Sequence, residues 1–176
     1  MSILSSTQTG KSGVYTEFPS TKIELIYIIK HYIGLNGNNC SLNHIDVSKI
    51  DNFDCLFTEF KEFNGDISKW NVSNARSMYR MFDTSEFNGD ISKWNVRKVE
   101  NMHYMFVYSK FNRDISKWNV SSVRNMERMF YDSEFKQDIS NWKINPECDI
   151  NAMFAYCPIP DSYKAQKNYK SFWDWR

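Results

Sequence analysis

The chain carries almost no net charge, 22 Lys and Arg against 21 Asp and Glu, or +1 with histidine neutral. No strong overall field therefore draws it toward nucleic acid or an anionic membrane. Nothing near the start, MSILSSTQTGKSGVYTEFPS, is apolar for long enough to serve as a signal sequence, and no later stretch reaches membrane-spanning length. The chain as given is expected to be cytoplasmic, with no membrane insertion; a cell-surface location is expected only if a leader has been removed. Four cysteines, Cys40, Cys55, Cys148 and Cys157, form no CxxC pair and have no histidines at metal-ligand spacing. They read as buried free thiols, with no metal. Histidine is scarce: His31, His44 and His103 stand beside no nucleophile motif, so no catalytic residue and no cofactor are expected. Gly10-Lys11-Ser12 looks like the end of a phosphate-binding loop, but Ser5 stands where that loop needs its first glycine.

What is present is a repeat. FNGDISKWNV begins at Phe63, returns at Phe87, and returns with edits at Phe111 and Phe135. Asp66/Asp90/Asp114/Asp138, Ile67/Ile91/Ile115/Ile139 and Trp70/Trp94/Trp118/Trp142 step with it, as do the Met-Phe pairs ending at Phe82, Phe106, Phe130 and Phe154. A fixed period of this size signals stacked repeats, each burying its neighbour's face. Stacking would place like side chains over one another, so the 16% aromatic content reads as internal Phe and Trp columns.

A degenerate first coil starts near Leu42, where Leu42, Ile45, Val47, Ile50, Phe53, Leu56 and Phe57 keep the spacing of Ile91 to Phe106. Within each coil Ile91, Trp94 and Val96 fit a short inward-facing strand, while Val99, Met102, Met105 and Phe106 fall at helix-like steps. Ser48, Ser73, Ser121 and Asn145 read as helix caps, the last followed by Pro146 and Glu147. The expected fold is an α/β solenoid of about five coils, each a short parallel strand plus a short helix. Ahead of it, Ile23, Ile26, Ile29 and Ile33 predict an amphipathic cap helix, stopped by Gly34. The expected organisation is a flexible arm over 1–19, a helical cap over 20–41, the repeat over 42–162, and a closing tail over 163–176. In that tail Tyr169, Phe172, Trp173 and Trp175 need cover.

The polar columns are the candidate site. Lys69, Lys93, Lys117 and Asn141 flank the inward Trp on one side, and Asn71, Asn95, Asn119 and Lys143 on the other. Stacked lysines repel unless Asp66, Asp90 and Asp114 or a partner neutralises them. A solvated ladder is one reading; a basic, amide-rich surface for an acidic protein partner is the other. The lysine row together with Tyr79, Tyr104, Tyr108 and Tyr131 also admits a nucleic-acid or other polyanion binder, which the near-neutral charge disfavours. A monomer is expected.

The units FNGDISKWNVSNARSMYRMF, FNGDISKWNVRKVENMHYMF and FNRDISKWNVSSVRNMERMF resemble the repeats of the BspA-like leucine-rich-repeat surface proteins, a family also abundant in mycoplasmas. The preceding NGNNCSLNHIDVSKIDNF and the closing MFAYCPIPDSYK resemble that family's end segments. The resemblance covers roughly residues 20 to 165 and implies a right-handed leucine-rich-repeat-like solenoid. It further implies protein binding, in some members adhesion at a cell surface, and no catalytic residues.

Overall fold

Every backbone N–H and C=O buried in a folded chain needs a partner, and in this chain the partner is commonly one repeat away. In the computed structural model, which describes residues 15–167, the amides of Met78, Met102 and Met126 donate to Asn101, Asn125 and Asp149 in the following coil at 2.7–2.9 Å. In return the amides of Arg76, Glu100, Arg124 and Asp149 donate to the preceding coil. Numbered from Asn38, the coils cover 38–62, 63–86, 87–110, 111–134 and 135–158. They stack in register.

The expected strand and helix in every coil do not form, and the α/β leucine-rich-repeat-like solenoid is thereby overturned. Among the described residues, β pairing amounts to isolated parallel bridges such as Ser77 with Asn101 and Asn101 with Asn125. Among the described residues past 36 the one helical piece is a single 3-10 turn, Asp161–Tyr163. The physical reason lies in where the amides point. An α-helix requires each N–H to meet the carbonyl four residues back. Here Phe106 donates instead to Met129 of the next coil at 2.9 Å, while Trp94, Val99 and Met105 each donate three residues back, to Ile91, Val96 and Met102. A coil is thus a chain of three-residue-step turns. Their period copies the three- and four-residue spacing of an amphipathic helix.

Two positions in each of the second to fifth coils, and Cys55 in the first, make this path possible. Arg80, Tyr104, Arg128 and Ala152 have φ of 50–58°, as do Thr84, Tyr108, Asp132 and Tyr156 at 49–57°. These sit third in turns closed by Met81, Met105 and Met129 and by Ser109 and Ser133, the place where a turn needs a left-handed residue. In the second to fourth coils each such backbone is held by its own amide, which reaches the next coil: Arg80 to His103, Tyr104 to Glu127, Tyr108 to Tyr131. None of these residues is glycine.

Inside, the columns are continuous. Phe63, Phe87, Phe111 and Phe135 stack at 6.1–6.3 Å with ring planes within 4°. Phe57, Phe82, Phe106, Phe130 and Phe154 form a second column beside it, and the two meet at 4.1–4.4 Å in the middle coils. Each buried indole N–H crosses a coil boundary, Trp70 to Leu42, Trp94 to Ile67, Trp118 to Ile91 and Trp142 to Ile115, so the aromatic core is also hydrogen-bonded.

The cap helix α1 runs Lys22–Asn36, capped by the Thr21 side chain, which accepts from the Glu24 amide. It passes through Gly34 and ends at Gly37, whose φ of 78° turns its amide back to Ile33. Leu25 and Ile29 are buried, Ile26 and Ile33 partly so, and Ile23, Tyr27 and Leu35 face out. The arm expected over 1–19 is fixed where it is described: Glu17 pairs with Ile45, Asp46 donates to Glu17, and Pro19 is buried. At the far end Ile139 donates to Tyr163, and Lys167 pairs with Ile144. Tyr169, Phe172, Trp173 and Trp175 lie outside the described residues.

Candidate functional site

An exposed asparagine whose side-chain oxygen accepts the amide two residues on makes a turn without spending a main-chain carbonyl. Asn71, Asn95 and Asn119 do this for the amides of Ser73, Arg97 and Ser121 at 3.1–3.3 Å. The amide column expected at the site is therefore accounted for by turn chemistry. The residues expected as helix caps belong to the same turns: Ser73 and Ser121 donate rather than cap, and Asn145 accepts from Glu147 in a turn that leads into no helix.

The aspartate row acts alike. Asp66, Asp90, Asp114 and Asp138 accept the amides of Ser68, Ser92, Ser116 and Ser140 at 2.8–2.9 Å. For Asp66, burial opposes the charge, but the Ser68 amide and hydroxyl, with Asn43 and Lys69, together outweigh it; the net result is a carboxyl below its ordinary range. The hydroxyl and amide of Ser92 hold Asp90 low, and the amides and hydroxyls of Ser116 and Ser140 do so for Asp114 and Asp138. All four are charged near neutrality.

Lys69, Lys93, Lys117 and Lys143 are exposed, and among the described residues none of their ammonium groups makes an ion pair or a hydrogen bond. Other charged columns behave differently. Asp51, Arg76, Glu100 and Arg124 alternate in sign up the stack, and Arg76 meets Glu100 at 2.8 Å. Lys110 interrupts a glutamate column and pairs with Glu86 at 2.7 Å. Those pairs neutralise charge within their columns. The lysine row keeps one sign through three coils, and beside it the aspartate row keeps the opposite sign, with Lys69, Lys93 and Lys117 adding to the field that holds Asp66, Asp90 and Asp114 low.

A second surface carries the left-handed residues, and sequence reasoning missed it as a unit. The Arg80 guanidinium lies 5.5 and 5.0 Å from the rings of Tyr79 and Tyr104; that of Arg128 lies 5.7 and 5.8 Å from Tyr104 and Tyr131. Arg128 also donates to the Tyr104 hydroxyl. Tyr108, Tyr131 and Tyr156 continue the ribbon edge to face, with Tyr108 53% and Tyr156 78% exposed. Its one warning in the sequence is the 24-residue recurrence of Arg80, Tyr104 and Arg128 before the first three Met-Phe pairs. Within it His103 stacks on Tyr104 at 4.0 Å and its Nε2 lies 3.4 Å from Glu127. Burial lowers the His103 pKa, with Glu127 opposing.

Around the FNGD turns of the second and third coils lies an open groove of about 530 Å³, lined in part by Asn64, Gly65, Asp66, Gly89, Asp90 and Arg113. Gly65 is there of necessity, since a Cβ would lie 1.9 Å from the Cys40 carbonyl. All four cysteines are free thiols; Cys148 is buried, which pushes its pKa up to about 11, whereas Cys40, Cys55 and Cys157 are half-exposed rather than fully buried. Among the described residues no group of three or more His, Cys, Asp or Glu could hold a metal ion, and no helix is long and apolar enough to cross a membrane.

The model of a family described as "Mycoplasma protein of unknown function, DUF285" matches twice, over residues 28–109 and 83–169. The chain belongs to this family. The two DUF285 matches overlap at 83–109, essentially the third coil, so the family's unit spans about three coils and is laid twice along one stack. No curated protein and no solved structure matches the chain.

Proposed function

We propose that this DUF285 chain is a non-enzymatic binding module that holds, and by holding can inhibit, an acidic protein partner on the side of its coils. Lys69, Lys93 and Lys117 are the contact, with Lys143 at the edge. The observation that carries the reading is a row of three exposed ammonium groups of one sign that, among the described residues, make no ion pair and no hydrogen bond. Like charges stacked on neighbouring coils repel; Asp66, Asp90 and Asp114 offset part of that, and the turns that account for the neighbouring asparagines and aspartates make no demand for lysine. The likeness of the repeats to BspA-like surface proteins supports protein binding, and with a leader removed it extends to adhesion at a cell surface.

A second reading places the partner on the Tyr79/Arg80/Tyr104/Arg128/Tyr131 ribbon. It is favoured by composition, because tyrosine and arginine dominate the energetic centres of protein interfaces. The two separate in one experiment. The immobilised chain and its Lys69/Lys93/Lys117→Glu variant are exposed to lysate of the source cell, with nuclease, at low and at high salt. Loss of the captured proteins in the variant and at high salt supports the lysine row, since exposed charges are screened within about 8 Å at physiological ionic strength. Equal capture by the variant refutes it and leaves the ribbon. Loss on nuclease treatment alone shows a polyanion binder instead.

A further inference from the structure

The repeat displays, in its later coils, the ligand that an earlier coil lacks. In the fourth coil the side chain of Arg113 lies back over the third and its Nε donates to the Asn88 carbonyl at 2.7 Å. In the fifth, Gln137 repeats the contact, its Nε2 donating to the Asn112 carbonyl at 3.2 Å and to Asn112 Oδ1 at 2.9 Å. The same position in the third coil is Gly89, and the carbonyl one coil below it is that of Asn64. Among the described residues that carbonyl accepts no hydrogen bond, while Asn64 Oδ1 is used by the Asn88 amide at 2.8 Å. The empty position opens into the groove that holds Asp66 and Asp90.

Translation by one coil also supplies the charge. Arg113 adds to the field that keeps Asp90 ionised, behind the Ser92 bonds and Lys93. The residue equivalent to Asp90 one coil down is Asp66, itself ionised. One step further back the position closes, because the Cys40 carbonyl crowds Gly65. At Gly89 a Cβ would meet the Phe87 ring at 2.7 Å, so the place is reached from the groove and not along a side chain at 89. Of the carbonyls of Asn64, Asn88 and Asn112, that of Asn64 has no donor among the described residues.

We propose that the groove over Gly89 is a recognition site for an arginine side chain of a partner protein, its guanidinium donating to the Asn64 carbonyl and to the Asp66 carboxylate. A planar guanidinium with several fixed donors suits a carbonyl and a carboxylate side by side better than an ammonium does. The site does not rest on the lysine row and selects the opposite charge.

The test is an amide NMR titration of the full chain with N-acetyl-arginine methylamide, with the neutral citrulline analogue alongside. The expected result is saturable shifts at Gly65, Asp66, Gly89 and Asp90 for the arginine probe, with citrulline at least about tenfold weaker. Asp66→Asn keeps a side-chain acceptor for the Ser68 amide and so keeps the turn, but should weaken the arginine probe about tenfold, as loss of one charge-assisted bond does. Asp138→Asn, in the same row three coils away, should change nothing, and Lys69/Lys93/Lys117→Glu should still bind. Absence of saturable shifts overturns the proposal. Equal response to arginine and citrulline, or an Asp66→Asn variant that binds as well as the parent, overturns it too.

Discussion

Thr84 offers a test of sign rather than of size. Its φ is 56°, a left-handed backbone on an exposed β-branched residue, and such a residue pays about 1–2 kcal/mol there. Thr84→Gly removes that strain and keeps the amide bond to Val107, which is main chain. It loses an exposed hydroxyl contact to Asp83 of negligible worth and gives back about 0.5–1 kcal/mol of unfolded-chain entropy. The balance is a gain of about 0.5–1 kcal/mol. Thr84→Ala relieves less, because alanine retains the Cβ. In ordinary backbone glycine is worse than alanine by about 0.5–1 kcal/mol; here the order should reverse. Urea unfolding of the three proteins at equal m-value measures it, and the melting temperature should rise by roughly 2 °C for the glycine variant. Alanine equal to or better than glycine would refute the turn geometry assigned to every coil.

Trp118→Phe preserves the ring stack and removes one of the two donors to the Ile91 carbonyl, which keeps the Trp94 amide, and should cost about 0.5–1.5 kcal/mol in the same urea assay. Gly65→Ala forces a Cβ against the Cys40 carbonyl and should cost more than about 2 kcal/mol. Gly89→Ala, where the nearest atoms are a Phe87 ring at 2.7 Å and the Gly65 carbonyl at 3.2 Å, should cost less. His103 and His44 are both lowered by burial, each partly offset by a glutamate. The unfolded chain thus binds protons first, so stability is whole above the ordinary value of 6.5 and falls as pH drops from there through the folded-state values. His103→Gln should flatten part of that decline in melting temperature between about pH 6.5 and pH 5.

The core was legible in the sequence because burial is written in residue type at a constant interval: Phe63, Trp94, Met105 and their equivalents are all buried. The conformation of the coil was not. Val99, Met102, Met105 and Phe106 have the spacing of a helix face, and three-residue turns produce that spacing too. The deciding feature, a left-handed φ at Tyr104 and Tyr108, falls on residues whose identity gives no sign of it. Glycine or asparagine there would have marked the turns. Likewise Asn71 looked like part of a binding column because its bond to the Ser73 amide is a property of local geometry. Lys69, Lys93 and Lys117 were readable as a row of one sign. That two other charged columns mix signs and pair only became meaningful once the stack put Arg76 on Glu100 and Lys110 on Glu86.

Hydrogen exchange on the chain alone and bound to the protein it captures tests the proposed function most directly, because it reports which side of each coil the partner covers. Protection confined to the Ile-Ser-Lys-Trp-Asn segments at 67–71, 91–95 and 115–119, repeating every 24 residues, is the predicted result. Protection confined to the turns at 79–84, 103–108 and 127–132, with those lysine segments unchanged, would contradict it.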